Sequence, residues 1–187
     1  GQVVDAAMVD GASVLMSMFY AFKASGFWLD ERESNALDGA AHFYDTYECA
    51  DQKFLAVGSI EPQFYSVLLE KLEILDPKFQ DQHNKELWPE LKAIMKDTIK
   101  EKTRDEWADI FDGSDACVAP VLNLSEAPEH HHMKARNSFV EVDGVIQPAP
   151  APRFSDTTPH IRHSSVKAGE NNDEICAQYN FDRSCFS

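Results

Sequence analysis

The chain has 187 residues, 43% hydrophobic and 11% aromatic, enough for one well-packed domain with appendages and too apolar for a disordered segment. Its 17 Lys and Arg stand against 32 Asp and Glu, a net charge of −15 that repels phosphate backbones and anionic membranes and argues against nucleic-acid binding. No apolar run reaches the ~18 residues of a membrane span, and no signal peptide is visible.

The chain opens on "GQVVDAAMVDG", without an initiator Met and already inside an apolar segment, so it is expected to be part of a longer protein. Residues 3–25 are apolar nearly all round, which predicts a helix that needs burial on most sides, with Gly26 as its stop. Residues 27–41 read as an irregular loop. "HFYDTYECADQKFLAVGSI", residues 42–60, holds two β-prone runs joined by a polar turn and predicts a hairpin. Gly58 and Ser59 break the second run, and Pro62 sits where a helix begins.

Helical spacing then recurs at Phe64, Val67, Leu68 and Leu72, and again at Leu87, Leu91, Ile94, Met95 and Ile99 after a linker containing Pro77. A third helix follows in "TRDEWADIFDGS", with Thr103 and Glu106 spaced as a capping box and Gly113 near its end. "CVAPVLNL" is strand-like. A short helix capped by Ser125 comes next, and then "SFVEVDGVIQ", a hairpin turning at Asp-Gly. From residue 148 the chain is rich in Pro and Ser, which predicts an extended arm. The fold class is α+β, without a βαβ repeat or Gly-rich phosphate loop. It divides as residues 1–41, 42–147 and 148–187.

Few residues suggest chemistry. Cys49, Cys117, Cys176 and Cys185 form no C-x-x-C pair and point to neither a zinc site nor a disulfide framework. The three consecutive residues His130, His131 and His132 point about 100° apart on a helix and cannot share one ion, so no metal is expected. His42 lies near Asp38 and Asp45 in sequence, as a base oriented by a carboxylate would, but no nucleophile accompanies it. No G-x-S-x-G elbow is present. Glu61 stands alone between a strand and a helix. It is either an ordinary first-turn acid complementing the helix dipole, or a catalytic carboxylate that still needs a partner.

The stretches "GQVVDAAMVDG", "NALDGAAHFYDTYECADQKFLAVGSIEPQFY", "ELWPELK", "EWADIFDGSDACVAPVL" and "PAPRFS" add a resemblance. In this order, over about residues 1–160 and with an echo in "GENNDEI", the chain resembles the family III CoA-transferase group, in the branch that racemises 2-methylacyl thioesters. "CAQYNFDRSCFS" departs from that pattern. The resemblance implies the C-terminal part of the family fold (the end of a large domain plus a small domain) in an interlocked homodimer acting on an acyl-CoA thioester. It implies no cofactor, since coenzyme A is part of the substrate.

It also assigns Glu61 as an active-site carboxylate bonded to a catalytic histidine, with Ile60 beside it as a substrate-binding residue. Tyr44, Asn35 and Asp38 are carried over as residues near the acyl group; Ala40 and His42 replace a Gly and a Pro common in relatives. The family's acid–base residues precede the segment where this chain starts. Two alternatives stay open: a CoA-transferase of the same fold, using an upstream aspartate nucleophile, and a non-catalytic dimerisation module. The expected compartment is the cytoplasm, or a peroxisome or mitochondrion in a eukaryote, although the terminal "CFS" is no clear peroxisomal signal.

Overall fold

A computed structural model describes residues 1–186. The chain forms two compact units, the first ending at Val121 and the second starting at Leu122.

The first unit begins with two short helices, α1 (Met8–Leu15) and α2 (Ser17–Ala24), where one continuous helix was expected. The break lies at Met16, whose amide is shared between the carbonyls of Ala12 and Ser13. Ser13 and Ser17 each turn a hydroxyl back onto a preceding carbonyl, at Val9 and Val14, and such bonds bend helices. Neither helix buries a side chain: Met8, Leu15 and Tyr20 are all exposed.

After the loop come β1 (Tyr44–Glu48) and β2 (Phe54–Gly58), the expected hairpin, with Tyr44 opposite Gly58. The run at residue 118 becomes β3 (Val118–Pro120), which pairs antiparallel with β2 and makes a three-stranded sheet of order β1-β2-β3. One face of the sheet carries Tyr47, Leu55 and Val57 into the core. Against them pack α3 (Pro62–Lys71), α4 (Trp88–Ile99) and α5 (Arg104–Phe111) through Leu68, Leu91, Met95, Ile99 and Trp107. The capping box is formed: Thr103 Oγ1 accepts from the Glu106 amide while Glu106 accepts from the Thr103 amide. The two buried indoles keep their N–H groups bonded, Trp88 to the Gln82 carbonyl (2.8 Å) and Trp107 to the Ile99 carbonyl (2.7 Å).

In the second unit α6 (His131–Ala135) is preceded by a single 3-10 turn, Ala127–Glu129. Ser125 caps neither piece: the 3-10 turn starts from Glu126 and α6 from His130. In the turn before them the Asn123 side chain accepts from the amides of Ser125 and Glu126, while Glu126 accepts from the Asn123 amide. β4 (Phe139–Val142) and β5 (Val145–Pro148) form the second hairpin, with Asp143 and Gly144 at positive φ in its turn. The arm is not extended throughout, because α7 (Asn172–Tyr179) forms within it, with Asp173 and Glu174 in its first turn and Asn180 left-handed at its end. Among the described residues no helix is long and apolar enough to cross a membrane.

Candidate active site

Glu61 occupies a corner between β2 and α3. It is the N-cap residue of α3, held in extended conformation (φ −74°, ψ 141°) as the residue before a proline must be. Its carboxylate makes no capping hydrogen bond, unlike the Ser, Thr, Asp and Asn that ordinarily hold this position, and it faces solvent. Glu61 therefore holds none of the first amides of α3 with its side chain.

The backbone leading to it is fixed. Gly58 N–H donates to the Cys117 carbonyl (2.9 Å), Ser59 N–H to Phe43 (3.0 Å), and Ile60 N–H back to Gly58 (3.0 Å). The Ser59 hydroxyl, fully buried, reaches the Ala116 carbonyl. The carbonyls of Ser59 and Ile60 are both taken by the side-chain amide of Gln82, at 3.1 and 3.0 Å. Each main-chain N–H and C=O from Gly58 to Ile60 thus has a partner, which is what keeps a buried strand exit in one conformation.

On the outer side of the sheet lies a cavity of about 480 Å³ lined by Tyr44, Asp38, Gly58, Cys117 and their neighbours. Its floor is made of small groups, because Ala56 lies opposite Thr46 and Ala119 across the three strands. At Gly58 a methyl group would lie 3.7 Å from both the Tyr44 ring and the Cys117 carbonyl, in ordinary contact, so the glycine keeps that corner of the cavity open. Partial burial, followed by the Glu61 and Asp115 carboxylates, pushes the Cys117 thiol above its ordinary value.

The loop wall is built on Asn35, which is buried. Its side chain accepts from the Leu29 amide (2.8 Å) and donates to the Leu29 carbonyl (3.0 Å) and to Asp38 Oδ2 (2.7 Å). Burial alone would raise the Asp38 carboxyl. The Asn35 side chain and the amides of Asn35, Ser34 and Ala40 outweigh it and hold Asp38 below its ordinary value. Lys92 of α4 pairs with Asp45 at 2.6 Å and also donates to the Gly39 carbonyl, tying this loop to β1.

Of the expected residues, Tyr44 and Asp38 share the cavity, and Ile60 and Glu61 follow directly from its Gly58 edge; Asn35 lies beneath the surface as support. His42 is no solvent-facing base. It is fully buried, its Nε2 lies 2.7 Å from the Tyr65 hydroxyl and not near a carboxylate, and burial, then the charge of His83, lowers it to about 4. Its Nδ1 has no partner among the described residues. Strand alternation would put His42 on the outward face with Tyr44, but β1 begins only at Tyr44. His42 lies before the strand, and its ring packs edge-on against Phe43, Tyr65 and Phe79 in the core. Cys117 and Gln82 were not anticipated as site residues. Gln82 carries no sequence signal, since it sits in a polar linker, whereas Cys117 lies next to the strand-like run that became β3.

The model of CoA-transferase family III matches residues 1–172. The chain is 43% identical to mouse alpha-methylacyl-CoA racemase over 97% of its own length, and 41% identical to the human protein of that name over 98%. It spans about half the length of these relatives, 48% in each case. Its fold matches the crystal structure of a CAIB/BAIF family protein from Brucella suis, with TM-score 0.69 and 23% identity over 95% of this chain and 48% of that one. On this evidence the chain belongs to CoA-transferase family III.

Proposed function

We propose that this chain forms the C-terminal half of an α-methylacyl-CoA racemase, an isomerase that inverts the α-carbon of 2-methylacyl-CoA thioesters. The observation that carries the reading is Glu61: an exposed carboxylate, uncommitted to capping, on a corner whose backbone is bonded at every step. Two relatives above 40% identity carry that racemase name, which supports the same choice over a transferase.

The chemistry follows from the thioester, whose carbonyl acidifies the α-proton. One group removes it, the enolate is stabilised, and a proton returns on the opposite face. In this reading the imidazole that exchanges the proton is not His42, which is buried. The Glu61 carboxylate accepts that imidazole's N–H, holds its tautomer and favours its protonated form. The acyl group lies along the cavity beside Tyr44, over the small-residue floor, with Ile60 at its edge; Asn35 and Asp38 shape the loop wall. No cofactor enters the reaction. The exposed apolar faces of α1 and α2 fit burial against a second copy, in a homodimer.

The test is incubation of the intact protein with a single epimer of a 2-methylacyl-CoA in heavy water. Deuterium uptake at the α-carbon together with formation of the other epimer supports the racemase reading. Transfer of CoA to an added carboxylate, without exchange, would replace it with the transferase.

A further inference from the structure

We propose that Gln82 is a positioning residue for Glu61, acting through the two carbonyls that precede it; the inference rests on the racemase reading of that glutamate. Gln82 lies between the single 3-10 turn Pro77–Gln80 and α4, distant in sequence from the corner, and is only 6% exposed. Its own backbone is anchored, because its carbonyl receives the Trp88 indole N–H at the start of α4. From that anchor its side-chain nitrogen reaches the Ser59 carbonyl at 3.1 Å and the Ile60 carbonyl at 3.0 Å.

A primary amide suits this task because one nitrogen carries two hydrogens and can serve two carbonyls at once. A carboxylate of the same shape has none, and a thioether of the same length has none either. The remaining main-chain bonds of the corner, through the amides of Gly58, Ser59 and Ile60, would survive loss of Gln82. The peptide joining Ile60 to Glu61 would not be held, since among the described residues the Ile60 carbonyl has only this partner. Glu61 is the next residue, and although its own carbonyl stays bonded to the Tyr65 amide (2.9 Å), a rotation of the Ile60–Glu61 peptide changes its φ and re-aims its carboxylate. A displacement of ~1 Å in a catalytic constellation can cost up to about 10²-fold in rate.

The experiment compares the intact protein with Gln82→Met, Gln82→Glu, Glu61→Gln and the double variant Glu61→Gln/Gln82→Met, reading α-proton exchange of a 2-methylacyl-CoA and thermal melting for each. Gln82→Met is expected to lower kcat about tenfold or more with KM within about twofold, and Gln82→Glu to lower it further. The double variant is expected to be no slower than Glu61→Gln, because a residue that acts only through Glu61 has nothing left to position. An equal loss on adding Gln82→Met to wild type and to Glu61→Gln would overturn the inference. So would unchanged kcat in folded Gln82 variants while Glu61→Gln is impaired. Wild-type exchange in Glu61→Gln would instead remove the racemase role of the glutamate, and this inference with it.

Discussion

Asn35 makes three hydrogen bonds from one buried amide, two to the main chain of Leu29 and one to Asp38, and so closes the loop that walls the cavity. Removing it leaves the Leu29 amide and carbonyl without those partners and takes away the bond from its side chain to Asp38. Asn35→Ala is expected to destabilise the fold by about 1–3 kcal/mol, measured by urea unfolding. A change under about 0.5 kcal/mol would mean that water replaces the amide at no cost and the loop wall does not depend on it. The role of Asn35 follows from its burial, which a single sequence does not display. Glu61 was legible as a suspect from Pro62 and the Gly58–Ser59 break. Its freedom from capping was not, because a first-turn acid and an N-cap acid look alike until the dihedral angles are known.

Among the elements, α5 was the most legible. Its boundary follows from short-range chemistry, Thr103 and Glu106 each bonding the other's amide three residues away. Thr103→Ala should cost about 1 kcal/mol of stability, read as a lower denaturation midpoint with unchanged slope. No shift would mean that packing of Trp107 and Phe111 alone sets the start of the helix. The sheet was legible only in part. The hairpin of β1 and β2 is local, whereas β3 joins β2 from about 60 residues away, and period-2 patterning cannot name a partner at that distance. The break at Met16 was missed for a different reason: apolar periodicity runs through it, and the serine hydroxyls that redirect the carbonyls leave no mark in a hydrophobic pattern.

At the scale of the whole molecule, stability should carry the signature of the buried imidazole. His42 titrates near 4 in the folded chain against 6.5 for a free imidazole, because burial, then the charge of His83, disfavours its protonated form. As the pH falls the unfolded chain takes up a proton first, so the contribution is full well above 6.5, declines between about 6.5 and 4, and levels off below. Its total is on the order of 3 kcal/mol. Urea midpoints at pH 7.5 and 4.5 should therefore differ more in wild type than in His42→Gln. Equal differences would show that the carboxylates alone set the acid limit.

The most direct measurement of the central claim, that Glu61 belongs to the acid–base apparatus, is α-proton exchange by Glu61→Gln in the intact protein, followed by mass spectrometry in heavy water. The account predicts a fall in kcat on the order of 10²-fold with KM for the thioester changed only a few-fold, because the carboxylate acts on an imidazole and not on bound substrate. Exchange at the wild-type rate by a folded Glu61→Gln protein would contradict it and return the residue to the ordinary role of an acid at a helix start.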